Sequence, residues 1–350
     1  MTKLKVRAHR KAVEDPCETL TGLSDGSYIL KDEAGYCYPS QVSSGKLSFI
    51  IPCLGAGETR EFLLLDETPS CELKLADTGD EIRVARGSRH VASYKYKGVR
   101  IPYIYPLNLD GICITEDSPR DHPHHNSLWT AHGDVNGIDF WAGDGKVRTL
   151  GFIRLVQGSA YAEIVAENSW EVEGSSLLRE IRRIRFWNTP SGEWLIDYEV
   201  LLKPEGSVVL GDTKEAGIVS VRVANSMTVL NGGKITNSWG GVNEKEVWGR
   251  RAEWCDYSGP VAGSIYGIAV FDHPTNPRFP TYWHTRDYGL MTANIFGLSS
   301  FIGSREGDMP LTRPAGFHYR ILVHRGWVHE AQVHLRYLNW LYPPEVVTIS

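Results

Sequence analysis

The feature that most constrains this chain is its period-two alternation. Trp194, Ile196, Tyr198, Val200 and Leu202 alternate with Leu195, Asp197, Glu199 and Leu201, the spacing that sends successive side chains to opposite faces of a strand. The turn signal Asn188-Thr189-Pro190-Ser191-Gly192 precedes this run and follows another that ends at Phe186-Trp187, so a hairpin is predicted there. Similar short runs recur at 47–53, 61–65, 72–75, 81–85, 90–96 and 161–173, with Gly, Pro, Asn or Asp in the gaps. Helical periodicity is scarcely visible, and no internal repeat stands out. The expectation is an all-β protein, a large antiparallel β-sandwich over residues 86–350 behind a small N-terminal β-module, residues 1–85, that lacks the later His and Trp density.

Composition then narrows the function. Eleven Trp and sixteen Tyr suit strand cores, and they also suit stacking on sugar rings. A formal charge of −5 without a basic stripe argues against a nucleic-acid partner, which needs clustered Lys and Arg. The one arginine-dense run, 179–185, alternates like a strand with a solvated or ion-paired face. Cys17, Cys37, Cys53, Cys71, Cys113 and Cys255 are scattered and read as reduced thiols. The first residues carry charge but no apolar stretch, and no run approaches the ~18 apolar residues of a membrane helix. The chain is therefore expected to be cytoplasmic, free of membrane, and to act on a small molecule; a homo-oligomer stays open.

Chemistry concentrates at Asp121-His122-Pro123-His124-His125. His122 and His124 are two apart, so on an extended backbone they share a side and His125 takes the other. Pro123 places the segment at a strand end or in a loop. His132 follows, and Glu116, Asp117 and Asp121 precede the cluster. Three readings stand: a divalent metal held by His122 and His124 with a distant third ligand, metal-free acid–base catalysis, or imidazoles satisfied by carbonyls in a polar turn.

Two later segments carry similar groups. In 280–289, a strand with Trp283, Thr285 and Asp287 on one face would show His284, Arg286 and Tyr288 on the other, a set suited to sugar hydroxyls and carbonyls. An Arg–Asp pair beside a buried Trp explains the same residues structurally. Asn294 follows closely. In 211–217, Lys214 and Glu215 sit at a strand entrance, where the carboxylate is placed to act as a base; a surface turn is the plain alternative.

Together these segments resemble a bacterial family that carries the label PmoA. The matching stretches are Tyr103-Ile104-Tyr105-Pro106, the run from Asp121 through Leu128-Trp129, Gly133-Asp134-Val135-Asn136-Gly137 and Asp139-Phe140-Trp141. Further matches are Gly211 to Glu215, Trp239-Gly240-Gly241, Trp254 to Gly259, Trp283 to Gly289 and Gly316 to Arg320, all within about residues 90 to 335. Asn126-Ser127 departs from the Arg-Gly more usual there. The label derives from a methane monooxygenase subunit, which needs transmembrane helices, so that activity does not transfer. The resemblance implies a galactose-mutarotase-like supersandwich and a carbohydrate substrate, with a His acid and a carboxylate base, parts open to the His cluster and Glu215.

The resulting expectation is a carbohydrate-active enzyme, a lyase or hydrolase working on a sugar or 3-keto-glycoside. His124 or His125 would shuttle protons with Glu215, and His122 and His284 would polarise substrate or bind a divalent metal. Lys214, Arg286, Tyr288 and Asn294 would hold oxygen atoms, and Trp129, Trp141 or Trp283 would stack on the ring. A mutarotase or epimerase, and a non-catalytic sugar-binding protein, are the alternatives.

Overall fold

A computed structural model describes residues 2–69 and 72–349. Antiparallel strands dominate it, in three large sheets. The expected hairpin is present: strands Ser175–Asn188 and Trp194–Pro204 pair in register from Leu178–Pro204 to Asn188–Trp194. Trp194, Ile196, Tyr198, Val200 and Leu202 all enter one core, while Leu195 faces a different one. The eight-stranded sheet holding this hairpin stacks on a nine-stranded sheet. Their shared core joins Ile184, Ile196 and Tyr198 of the first to Tyr94, Ile104 and Trp129 of the second. This is the sandwich that two half-apolar sheets form to bury their faces.

The other face of the eight-stranded sheet is covered by helix Val333–Leu341, through Val333 and Tyr337, and by Ile50 of the N-terminal sheet. The arginine run divides between the faces. Arg183 and Arg185 pair with Glu163, and Arg183 also with Glu199, as an ion-paired face; Arg182 turns inward and grips Glu180, both fully buried.

The N-terminal sheet has its own core of Leu4, Val6, Leu30, Phe49 and Phe62. It differs from the expected module at both ends. Strands Leu73–Asp77 and Glu81–Arg86 hydrogen-bond into the nine-stranded sheet, so the division falls between residues 65 and 73 rather than after 85. Glu345–Ile349 returns from the far end of the chain to pair with Lys3–Arg7. Alternation alone marks strands and says nothing of which sheet receives them. Cys17, Cys37, Cys53, Cys113 and Cys255 are free thiols, and Cys71 lies outside the described residues. No described helix is long and apolar enough to cross a membrane.

Candidate active site

Neighbouring strands of the nine-stranded sheet run in the order Tyr282–Arg286, Leu290–Asn294, Ala216–Arg222 and Leu128–His132. The histidine segment crosses their end as a loop. It is not extended: His122 N–H donates to the Pro119 carbonyl at 3.0 Å and His125 N–H to the His122 carbonyl at 2.9 Å. These successive turns overturn the alternation expected for the cluster. Instead of pointing away, His125 lies parallel to His122, ring centroids 4.7 Å apart and planes 13° apart. The loop is pinned where Arg222 N–H donates to the Ser127 carbonyl at 2.7 Å and Ser127 Oγ donates to Thr115 Oγ1 at 2.7 Å.

Four rings form a continuous stack from surface to core. Tyr288 lies 4.5 Å from His122, His122 4.7 Å from His125, and His125 5.4 Å from Trp129. His124 meets His125 edge-on at 4.7 Å. Arg222, a buried guanidinium in the strand Val219-Ser220-Val221-Arg222, fixes the polar side of this stack. It donates to Asp121 Oδ2 at 2.9 Å and to His125 Nδ1 at 3.3 Å. A guanidinium only donates, so His125 Nδ1 carries a lone pair and its proton sits on Nε2. Burial first, and the charges of His124, His122 and Arg222 after it, push His125 down to about 2, and it stays neutral.

Asp121 is the opposite case. Burial resists its ionisation, but hydrogen bonds from His122 and Arg222 and the Arg222 charge hold it at about 2. The resulting carboxylate accepts the His122 Nδ1 proton at 2.8 Å, which leaves Nε2 as the free basic nitrogen. His124 is half-buried and lowered by burial and by the His122 charge, with Glu215 opposing. The stack also borders a cavity of about 600 Å³ against Asp121, Arg222 and Tyr288.

The Lys214-Glu215 turn enters strand Ala216–Arg222 at the end away from Arg222, and the Glu215 charge reaches His124. Lys214 Nζ pairs with the Glu215 carboxylate, and both are half-exposed. The turn is held from beneath. Asn294 Nδ2 donates to the carbonyls of Thr213 and Lys214, at 3.1 and 2.9 Å, and His284 Nδ1 donates to the Lys214 carbonyl at 2.6 Å. A carbonyl only accepts, so His284 Nε2 bears a lone pair, and it is buried without a partner among the described residues. Burial brings His284 to about 4, against the pull of Glu215. The same carboxylate acts on His124, His284 and Tyr288, which places all four groups in one neighbourhood.

Several expected roles change. Trp129, Trp141 and Trp283 are fully buried and offer no face to a sugar; Trp283 Nε1 donates to the Ala252 carbonyl at 3.0 Å. His125 and His284 are 1% exposed, behind the more accessible groups of the site. Asn294 is likewise buried, a brace for the Lys214 turn. Arg286 reaches toward the site but pairs with Glu244 at 2.6 Å, on helix Asn243–Val247. His122, His124, Lys214, Glu215 and Tyr288 remain accessible. For a metal, no three His, Cys, Asp or Glu side chains gather about one point among the described residues, and the Asp121 bond to His122 Nδ1 leaves His122 Nε2 free. Arg222 and Glu244 are the residues that sequence reasoning missed. A single Arg inside an apolar strand was the available signal for the first, because such a charge requires a partner.

A family model described as a family of unknown function, DUF6807, matches residues 81–336. The match leaves the N-terminal sheet outside. No curated protein matches the chain. Among solved structures, an alpha-mannosidase from Enterococcus faecalis V583 superimposes with a TM-score of 0.51 at 8% identity, over 100% of this chain and 46% of that one. A glycosyl hydrolase family 38 protein from Enterococcus faecalis gives a TM-score of 0.49 at 8% identity, over 100% and 47%. This chain thus spans less than half the length of either, and the likeness to the first is one of fold.

Proposed function

The chain belongs to the family of unknown function DUF6807, and we propose that it is a carbohydrate-active enzyme working by metal-free acid–base chemistry. The observation that carries this reading is the Asp121–His122 pair. A carboxylate kept ionised fixes the imidazole with its basic Nε2 free, beside His124, which also feels the Glu215 charge. Such pairing orients a general base and steadies the imidazolium that forms when it takes a proton. Sharing a fold with an alpha-mannosidase supports a sugar as substrate.

The reaction that suits these groups is β-elimination on a 3-keto-glycoside. His122 or His124 removes the proton next to the carbonyl. The C–H electron pair forms the C=C bond, the bond to the leaving oxygen breaks, and the imidazolium formed by the first step, directly or through the second imidazole, returns a proton to that oxygen. In this reading the Lys214 ammonium and the Tyr288 hydroxyl hold the developing negative charge. Proton transfer of this kind contributes about 10²–10⁴-fold.

The test is proton NMR of purified protein with 3-keto-glycosides and with free aldoses. A new vinylic signal and released aglycone, lost in both His122→Ala and His124→Ala while the folded spectrum persists, are expected. Faster anomer exchange without release would replace elimination by mutarotation. Sugar binding that survives both substitutions, with no turnover, would overturn the catalytic reading.

A further inference from the structure

The most exposed tryptophan among the described residues is Trp239. Five other tryptophans (Trp129, Trp141, Trp170, Trp187 and Trp283) are fully buried, whereas Trp239 is 74% exposed. It is not on a loose loop. Asn237, itself buried, uses Oδ1 to accept the N–H groups of Trp239 at 3.1 Å and Gly241 at 2.9 Å. Gly240 takes the left-handed φ of 80° that closes the turn, and its N–H donates to the Asn237 carbonyl at 3.0 Å. Ser238 pairs with Glu253 through its hydroxyl and donates its N–H to the Trp254 carbonyl at 3.1 Å. A bulky side chain is thus held out in water on a rigid support, a geometry that lowers the ordering cost of binding.

The indole forms one side of a cavity of about 490 Å³ that also takes Glu246 and Arg250, a volume in the range of small-molecule sites. Glu246 uses one carboxylate oxygen to accept the Val242 N–H at 2.9 Å. The Arg250 guanidinium makes no hydrogen bond or ion pair among the described residues. Arg251 and Pro280, which also line the cavity, are held together, since Arg251 donates to the carbonyls of Arg278, Phe279 and Pro280. An apolar plate flanked by one guanidinium and one carboxylate matches a pyranose, whose C–H face is apolar and whose edge carries hydroxyls that donate and accept. The same short helix, Asn243–Val247, sends Glu244 to Arg286 of the imidazole site and Glu246 to this cavity, so the two places lie to either side of one element.

We propose that the Trp239 cavity is a second carbohydrate subsite, which holds the ring of a glycosidic substrate farther from the imidazoles; the substrate assignment rests on the function proposed above. The test uses protein labelled with ¹⁵N at the indoles, titrated with maltose and with cellobiose, the Trp239 signal being identified by its loss in Trp239→Phe. The expected result is a saturable shift of that signal in the wild type and in His122→Ala, and binding weakened roughly tenfold or more in Trp239→Ala. If no sugar is turned over yet the Trp239 shift remains, the catalytic reading fails and the subsite stands. If sugars are turned over while the Trp239 signal stays still and Trp239→Ala keeps full kcat/KM, the subsite is overturned. A shift that follows protein concentration instead of sugar also overturns it, in favour of contact between two copies.

Discussion

Replacing His125 by Phe should make the protein more resistant to mild acid relative to wild type. In the folded chain His125 stays neutral down to about 2, but in the unfolded chain it takes up a proton near its ordinary 6.5. Between those values the unfolded state binds more protons, so stability falls as the pH falls. At about pH 5, some 1.5 units below the unfolded value, the loss is about 2 kcal/mol at ~1.36 kcal/mol per unit, and near pH 7 it is almost nil. Phe keeps the ring stack between His122 and Trp129 and has no proton to gain. It removes the acceptor of Arg222 Nη1, a cost of about 1–3 kcal/mol at every pH. The assay is urea unfolding of both proteins at both pH values. The stability gap between wild type and variant should move by about 2 kcal/mol toward the variant on acidification. A gap that does not move refutes the claim that His125 is neutral when folded. The comparison needs the wild type beside it because Asp15 and Asp272, pushed up to about 7 by burial, stabilise the folded state over the same acid range.

Three other outcomes are expected. Asp121→Asn should lower kcat by roughly 10²-fold or more, since His122 loses the carboxylate that orients it; a steady-state pH profile identical to wild type would count against the pair. Glu180→Gln should cost about 3–5 kcal/mol in urea unfolding, because Arg182 is buried with no other carboxylate partner among the described residues and Trp170 Nε1 also donates to Glu180, at 2.7 Å. Gly267→Ala should destabilise by about 1–3 kcal/mol in thermal melts, because its Cβ would lie 2.3 Å from the His324 ring that pairs with Asp256; an unchanged midpoint would mean that the ring can retreat.

Much of the sandwich was legible because strand alternation is local. The 175–204 hairpin follows from its turn residues and its period alone. The site was only half legible. That His122, His124, Glu215 and Tyr288 share a neighbourhood reflects pairing between strands far apart in the chain, such as Ala216–Arg222 with Leu290–Asn294. Sequence gives the residue types but not that pairing. The tryptophans misled for a related reason. Trp129 and Trp283 look identical to Trp239 in the sequence, yet two lie in sheet interiors and one on a turn. The two-residue rule failed at 122–125 because two tight turns replaced the extended backbone it assumes.

The pairing of Lys3–Arg7 with Glu345–Ile349 has a consequence for synthesis. Lys3–Arg7 can pair with Thr59–Leu65 early in synthesis, but its other edge stays bare until Glu345–Ile349 has been made. A ribosome must therefore carry an open β-edge through the whole production of the sandwich, the kind of edge that recruits stray strands. Because Lys3 faces Ile349 across that pair, a short hairpin turn is enough to join them. A chain joined there and reopened at an exposed loop would make both strands together and close that edge early.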